Sequence, residues 1–141
     1  MSVAAMIFEV GDDIAPGDLK NIAAGLDSHS LENVGIVWKP FNIIARDDGK
    51  MVGGLTGFVI GAIAIIKLLW VDKACRGTGL GRELMQRADD FVRARDCKTI
   101  RVDTLSYQAP AFYKKMGYSL SATIPGYLEG QDRFFFEKKV S

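Results

Sequence analysis

Leu68-Leu69-Trp70-Val71, then Asp72-Lys73-Ala74-Cys75, then Arg76-Gly77-Thr78-Gly79-Leu80-Gly81, reads as a strand, a glycine-rich turn and a helix opening near Arg82. That order gathers free backbone N–H groups and the positive end of a helix dipole at one point, which suits a phosphate. Gly77, Gly79 and Gly81 leave the backbone free to approach a ligand closely, and Arg76 supplies a forked, charge-assisted donor. A tight strand-to-helix turn would also use glycine, but three alternating glycines behind an arginine exceed what a turn requires. No Gly-Lys-Ser/Thr follows, so the turn is not a P-loop, and the third glycine comes one residue early for Gly-x-Gly-x-x-Gly.

Outward from this turn the elements follow in order. Downstream, Leu80, Leu84, Ala88 and Phe91 or Val92 share one helix face, with Arg87, Asp90 and Arg93 towards the other. Thr99–Leu105 is a strand, Gln108–Met116 a short helix stopped by Gly117, and 118–124 and 133–140 two closing strands with a loop at 125–132. Upstream, residues 62–71 form a nearly continuous apolar strand expected to be buried on both faces. Before it, the Asp48-Gly49 turn leads into a strand at 51–60. Val34–Trp38 begins a strand that Pro40 interrupts and Phe41–Arg46 resumes. Leu19, Ile22, Ala23 and Leu26 make a helix face behind Pro16, Asp27–Asn33 is a polar loop holding His29, and Ala4–Val10 is a first strand. The expected order is β-α-β-β-β-α-β-α-β-β: an α/β (α+β), mixed and mostly antiparallel sheet of six to seven strands, with helices on both faces.

The 141 residues suit a single domain, 1–141, with 48% hydrophobic and 25% charged residues. A net charge of +1 gives no reason to expect nucleic acid or an acidic membrane surface as partner. Two cysteines and one histidine, without CxxC or His-x-x-x-His spacing, make a zinc site unexpected. Free thiols and the absence of a basic, then apolar, leader fit a cytoplasmic location. Met51–Ile66 lacks charge and repeats glycine at Gly53, Gly57 and Gly61, like a membrane helix-pairing motif. It stops at Lys67, short of the ~18–20 apolar residues of a span, and two buried strands explain it better.

Arg76-x-x-Gly79-x-Gly81 after a strand resembles the phosphate loop of the GNAT superfamily of N-acetyltransferases, in particular its small bacterial members. Ala109-Pro110-Ala111-Phe112-Tyr113-Lys114-Lys115-Met116-Gly117-Tyr118 resembles the family's second signature, and Val102-Asp103-Thr104-Leu105-Ser106-Tyr107-Gln108-Ala109 precedes it much as in those members. The likeness covers essentially the whole chain. It implies acetyl-CoA as acyl donor, its pyrophosphate on Arg76, Gly77, Thr78, Gly79, Leu80, Gly81 and Arg82. The acyl arm would lie between splayed strands, with a backbone N–H near Leu69, Trp70 and Val71 on the thioester oxygen and further contacts from Ser106, Ala109 and Phe112. Ser106 stands where relatives often carry asparagine, which shortens its reach.

The resemblance makes Tyr113 the general acid for the leaving thiolate, although Ala109, Phe112, Tyr113 and Met116 also fall on one helix face as core residues would. A general base is not visible: Ile63–Ile66 and Lys67 fill the region where many relatives carry glutamate, leaving a water chain, Glu129, Asp103 or solvent. Cys75 beside Arg76 could be activated, but no histidine partner accompanies it. For the acceptor amine, Trp38, Tyr127 and Glu129 offer aromatic faces and a carboxylate. The expected activity is direct acetyl transfer to a primary amine of a small molecule or peptide, with a homodimer open. A non-catalytic acyl-CoA sensor is the rival reading.

Overall fold

The computed structural model describes residues 2–140. It comprises two units, Met1–Val37 and Trp38–Ser141. In the first, α1 spans Pro16–Val34, with proline in its opening turn and Gly35 in the left-handed conformation closing it. The expected first strand is absent: Val3–Ala5 form a 3-10 turn and no strand follows before α1. An apolar run becomes a strand only where another edge accepts its hydrogen bonds. The polar stretch at 27–33 is likewise helical, not a loop, because nothing between Asp27 and Val34 breaks a helix before Gly35. His29 therefore lies on α1, where Asn33 Nδ2 donates to its carbonyl at 2.9 Å. Val34 ends that helix, so the next strand starts only at Trp38.

The second unit is a six-stranded sheet in the order β1-β2-β3-β4-β6-β5. The strands are β1 (Trp38–Asp47), β2 (Lys50–Ile60), β3 (Ile63–Val71), β4 (Thr99–Leu105), β5 (Ser119–Leu128) and β6 (Gln131–Lys139). Pro40 does not interrupt β1; the strand lies at the sheet edge, where a missing N–H costs no ladder bond. The anticipated loop at 125–132 is mostly strand too, a bulged β5–β6 hairpin turning at Glu129-Gly130. All pairings are antiparallel except β3 with β4. These two are joined through α2 (Leu80–Arg93), and α3 (Pro110–Lys115) joins β4 to β5.

One lateral row crosses five strands: Phe41, Gly57, Ile66, Val102 and Phe136. Its side chains share a face and form the centre of the core with Leu55, Ala64 and Ile100. α2 covers one end of this face, where Phe91 stacks on Phe41 with centroids 5.1 Å apart, and buries Leu84, Met85, Ala88 and Val92. α3 covers the other end through Tyr113 against Phe136. Gly57 is required by this packing, since a Cβ there would overlap the Ile65 carbonyl oxygen and press on the Phe41 ring.

β3 is buried on both faces in neither half. Ala64 and Ile66 are sealed, but Lys67, Leu68 and Trp70 are exposed. The cause is a bulge: Gly57 pairs with Ile66 and Thr56 with Leu68, so Lys67 is an extra residue. Parallel pairing with β4 ends at the same point, Ile66 with Val102, although both strands continue to Val71 and Leu105. Beyond that rung the sheet splits. Among the described residues, no helix is long and apolar enough to cross a membrane.

Candidate active site

The split opens a cleft of about 1120 Å³. Its walls are Ile66–Val71 of β3, Val102–Thr104 of β4, Cys75–Gly77 and Gly79–Arg82 of the turn, and Ala109, Phe112 and Tyr113 around α3. Hydrogen-bond alternation along β3 shows what faces the gap. Asp72 N–H donates to the Val52 carbonyl at 2.8 Å, so Asp72, Trp70 and Leu68 turn their backbone groups towards β2. Leu69 and Val71 therefore turn theirs into the cleft. The Val71 carbonyl accepts from Arg76 Nε at 3.3 Å, and the Leu69 N–H has no strand to bond.

At the outer end, Gly79 is the N-cap of α2 at φ +89, a left-handed conformation that side chains resist. The first ladder bond of the helix runs from Glu83 N–H to the Gly79 carbonyl. The N–H groups of Leu80, Gly81 and Arg82 are left over at the cleft wall, without a capping side chain. Gly81 faces Phe112, whose ring lies 3.5 Å from where a Cβ would be, an ordinary contact distance. The lining carries four cationic side chains, Lys67, Arg76, Arg82 and Lys115, against one carboxylate, Asp103. In a chain of net charge +1 the positive charge is therefore concentrated here. Free N–H groups, a helix dipole and arginines form a donor set that fits a pyrophosphate.

At the inner end, Tyr113 is only 6% exposed, packed edge-on to Phe112 and Tyr118. Burial, and secondarily the Asp103 carboxylate, push its phenol up to about 12. Among the described residues, the one sealed side-chain polar atom without a hydrogen-bond partner is Asp89 Oδ1, which meets Arg93 at 2.7 Å off hydrogen-bond alignment. Tyr113 lines the cleft, and its hydroxyl makes no hydrogen bond among the described residues.

The fold brings together Leu69, Trp70, Val71, Arg76, Gly77, Gly79, Leu80, Gly81, Arg82, Ala109, Phe112 and Tyr113. Thr78 and Ser106 are outside the lining. The Thr78 hydroxyl donates to the Cys75 carbonyl and braces the turn. The Ser106 hydroxyl accepts the Asp132 N–H at 2.9 Å and so ties the β4–α3 connection to β6. Trp38 is at the far end of the sheet, level with Ile60 and Ile63 and about 26 Å along β3 from Val71. Tyr127 is beside the cleft only through Arg133, whose guanidinium lies 4.8 Å from its ring centre and whose Nε donates to Asp103 Oδ2 at 2.8 Å. Glu129 is at the exposed hairpin tip, away from the lining.

Two residues not assigned a site role from sequence shape the cleft. Gln108 Oε1 accepts the Leu105 N–H at 2.6 Å, and the buried Thr104 hydroxyl accepts the Ala109 N–H at 3.3 Å, fixing the chain where it leaves β4 for α3. The Val-Asp-Thr-x-x-x-Gln-Ala run carried that signal, since a strand that ends must satisfy its last N–H groups.

The sequence profile of the Acetyltransferase (GNAT) family matches residues 21–118. A blasticidin-S acetyltransferase from Streptomyces morookaense is 45% identical over 58% of this chain and 61% of its own length. The chain thus spans less than two thirds of that relative. An IAA acetyltransferase from Azospirillum brasilense is 31% identical over 70% of this chain and 67% of its own. In structure, an acetyltransferase from Bacillus cereus superposes with a TM-score of 0.75 at 25% identity, covering 93% of this chain and 97% of that one.

Proposed function

The chain belongs to the GNAT acetyltransferase family, and from that membership we propose that it is an acetyl-CoA-dependent N-acetyltransferase working by direct attack of a primary amine. The family profile draws on residues from both units, which supports one acetyltransferase domain over the whole chain. The observation that carries the reading is the split between β3 and β4. It joins an anion cradle at Arg76–Arg82 to a buried, protonated tyrosine through a strand with free N–H groups.

Acetyl-CoA supplies an activated acyl group as a thioester. Arg76 and the N–H groups of Leu80, Gly81 and Arg82 hold its pyrophosphate, and the α2 dipole adds to that attraction. Val71 and Leu69 line the acyl arm, and the Leu69 N–H donates to oxygen where negative charge develops; one such donor contributes roughly 3–4 kcal/mol. Tyr113, kept neutral by its surroundings, gives its proton to the departing sulfur. The amine sheds its proton through the open cleft to water. Trp38 and Glu129 have no part in this account.

Relatives named for their activity favour an enzyme over an acyl-CoA sensor. The test is CoA release from acetyl-CoA with a panel of amines, blasticidin S first because a relative is named for it. Acetylated product with any amine sustains the proposal. Tight acetyl-CoA binding with no turnover across the panel replaces it with the sensor.

A further inference from the structure

We propose that the cleft selects an acceptor carrying an anionic group beside its amine, Asp103 receiving the amine and Lys67 the anion. This rests on the acetyltransferase reading above. Ile66 and Val102 form the last rung between β3 and β4, both buried on the helix-covered face. On β4 the next residue turns to the opposite face, and on β3 the next residue is the extra one of the bulge, left exposed. These two residues are Lys67 and Asp103, a cation and a carboxylate flanking the point where the strands part, and both line the cleft.

They do not neutralise one another. Asp103 is bonded through Oδ2 to Arg133, leaving Oδ1 without a partner among the described residues. Arg133 is itself held between the rings of Tyr127 and Phe135, each centre 4.8 Å from its guanidinium, so the carboxylate is fixed in place. Lys67 has no ion pair or hydrogen bond among the described residues and sits exposed at the bulge. It is also about 13 Å along the strand from Val71, too deep to serve the phosphate cradle that begins at Arg76. A bare ammonium at the acceptor mouth repels a simple cationic amine. It attracts an amine that brings its own negative charge.

The test follows CoA release by the whole chain with acetyl-CoA and four kinds of acceptor: L-amino acids, the matching amino-acid amides, O-phosphoethanolamine and ethanolamine. The anionic acceptors are expected to show a kcat/KM about tenfold or more above their counterparts lacking the anion, as one desolvated charge contact implies. Lys67→Met should erase that ratio by raising KM for the anionic acceptors and lowering it for the cationic ones, and Lys67→Arg should restore it. A preference for amino acids over the phosphate ester supports a carboxylate as the anion, and the reverse supports a phosphate. Equal or faster turnover of amides and ethanolamine overturns the inference while leaving acetyl transfer intact. An empty panel in which acetyl-CoA still raises Tm also overturns the inference. Failure of acetyl-CoA to raise Tm at all overturns the acetyltransferase reading and the inference with it.

Discussion

Ile66 pairs with Val102, and Lys67, the next residue along β3, pairs with nothing on either side. A bulge towards β2 and the end of pairing towards β4 thus coincide at one residue. The bulge turns β3 away from β4, and the cleft occupies the gap. The chemistry proposed above depends on that coincidence, because only unpaired strand N–H groups can serve a substrate.

Gly57 stands opposite the bulge. Gly57→Ala places a methyl group on the Ile65 carbonyl and the Phe41 ring, so we expect a loss of roughly 1–3 kcal/mol, seen as a lower midpoint in denaturant. Gly11→Ala, with open space around its Cβ, is the control and should leave the midpoint within about 0.5 kcal/mol.

Tyr113→Phe should lower kcat by roughly 10²–10⁴ while leaving acetyl-CoA affinity nearly unchanged, since the phenol acts on the leaving group. Unchanged kcat removes Tyr113 from the acid role.

The raised phenol gives a signed pH dependence. Folding favours the neutral form, so the Tyr113 contribution to stability is intact below the ordinary tyrosine value of about 10 and is lost as pH rises towards about 12. An alkaline fall in kcat due to Tyr113 should likewise lie above about pH 10. Stopped-flow turnover across that range checks it, and a limb near pH 8 belongs to another group.

Arg76→Ala should weaken acetyl-CoA binding about tenfold, by loss of one charge-assisted donor. Adding Gly79→Val forces a β-branched residue to φ +89 and should abolish binding in calorimetry. Retained binding in the double variant would remove the loop from the donor site.

The sequence was most readable where local chemistry decides the outcome. Alternation in Thr99–Leu105 marked β4 to its end residues, and the glycine turn marked the start of α2 to within two residues, Leu80 where Arg82 was expected. It was least readable where partners decide. Ala4–Val10 looked like a strand but has no partner edge, and 125–132 looked like a loop because Pro125, Gly126 and Gly130 hide a hairpin whose bulge is tied by Asp132 Oδ1 accepting the Gly126 N–H. Trp38 was assigned to the acceptor by its chemistry, and strand register sets it level with Ile60 and Ile63, at the end of the sheet away from the phosphate turn. The position of Lys67 opposite Asp103 is also a matter of register, which no residue type announces.

The most direct measurement is a crystal structure of the chain with acetyl-CoA. The account predicts pyrophosphate on the N–H groups of Leu80–Arg82, and the thioester oxygen about 2.9 Å from the Leu69 nitrogen, between β3 and β4. It also predicts the sulfur within hydrogen-bond reach of the Tyr113 hydroxyl. Acetyl-CoA bound outside the split, or a paired β3–β4 ladder continuing past Ile66 and Val102, would contradict it.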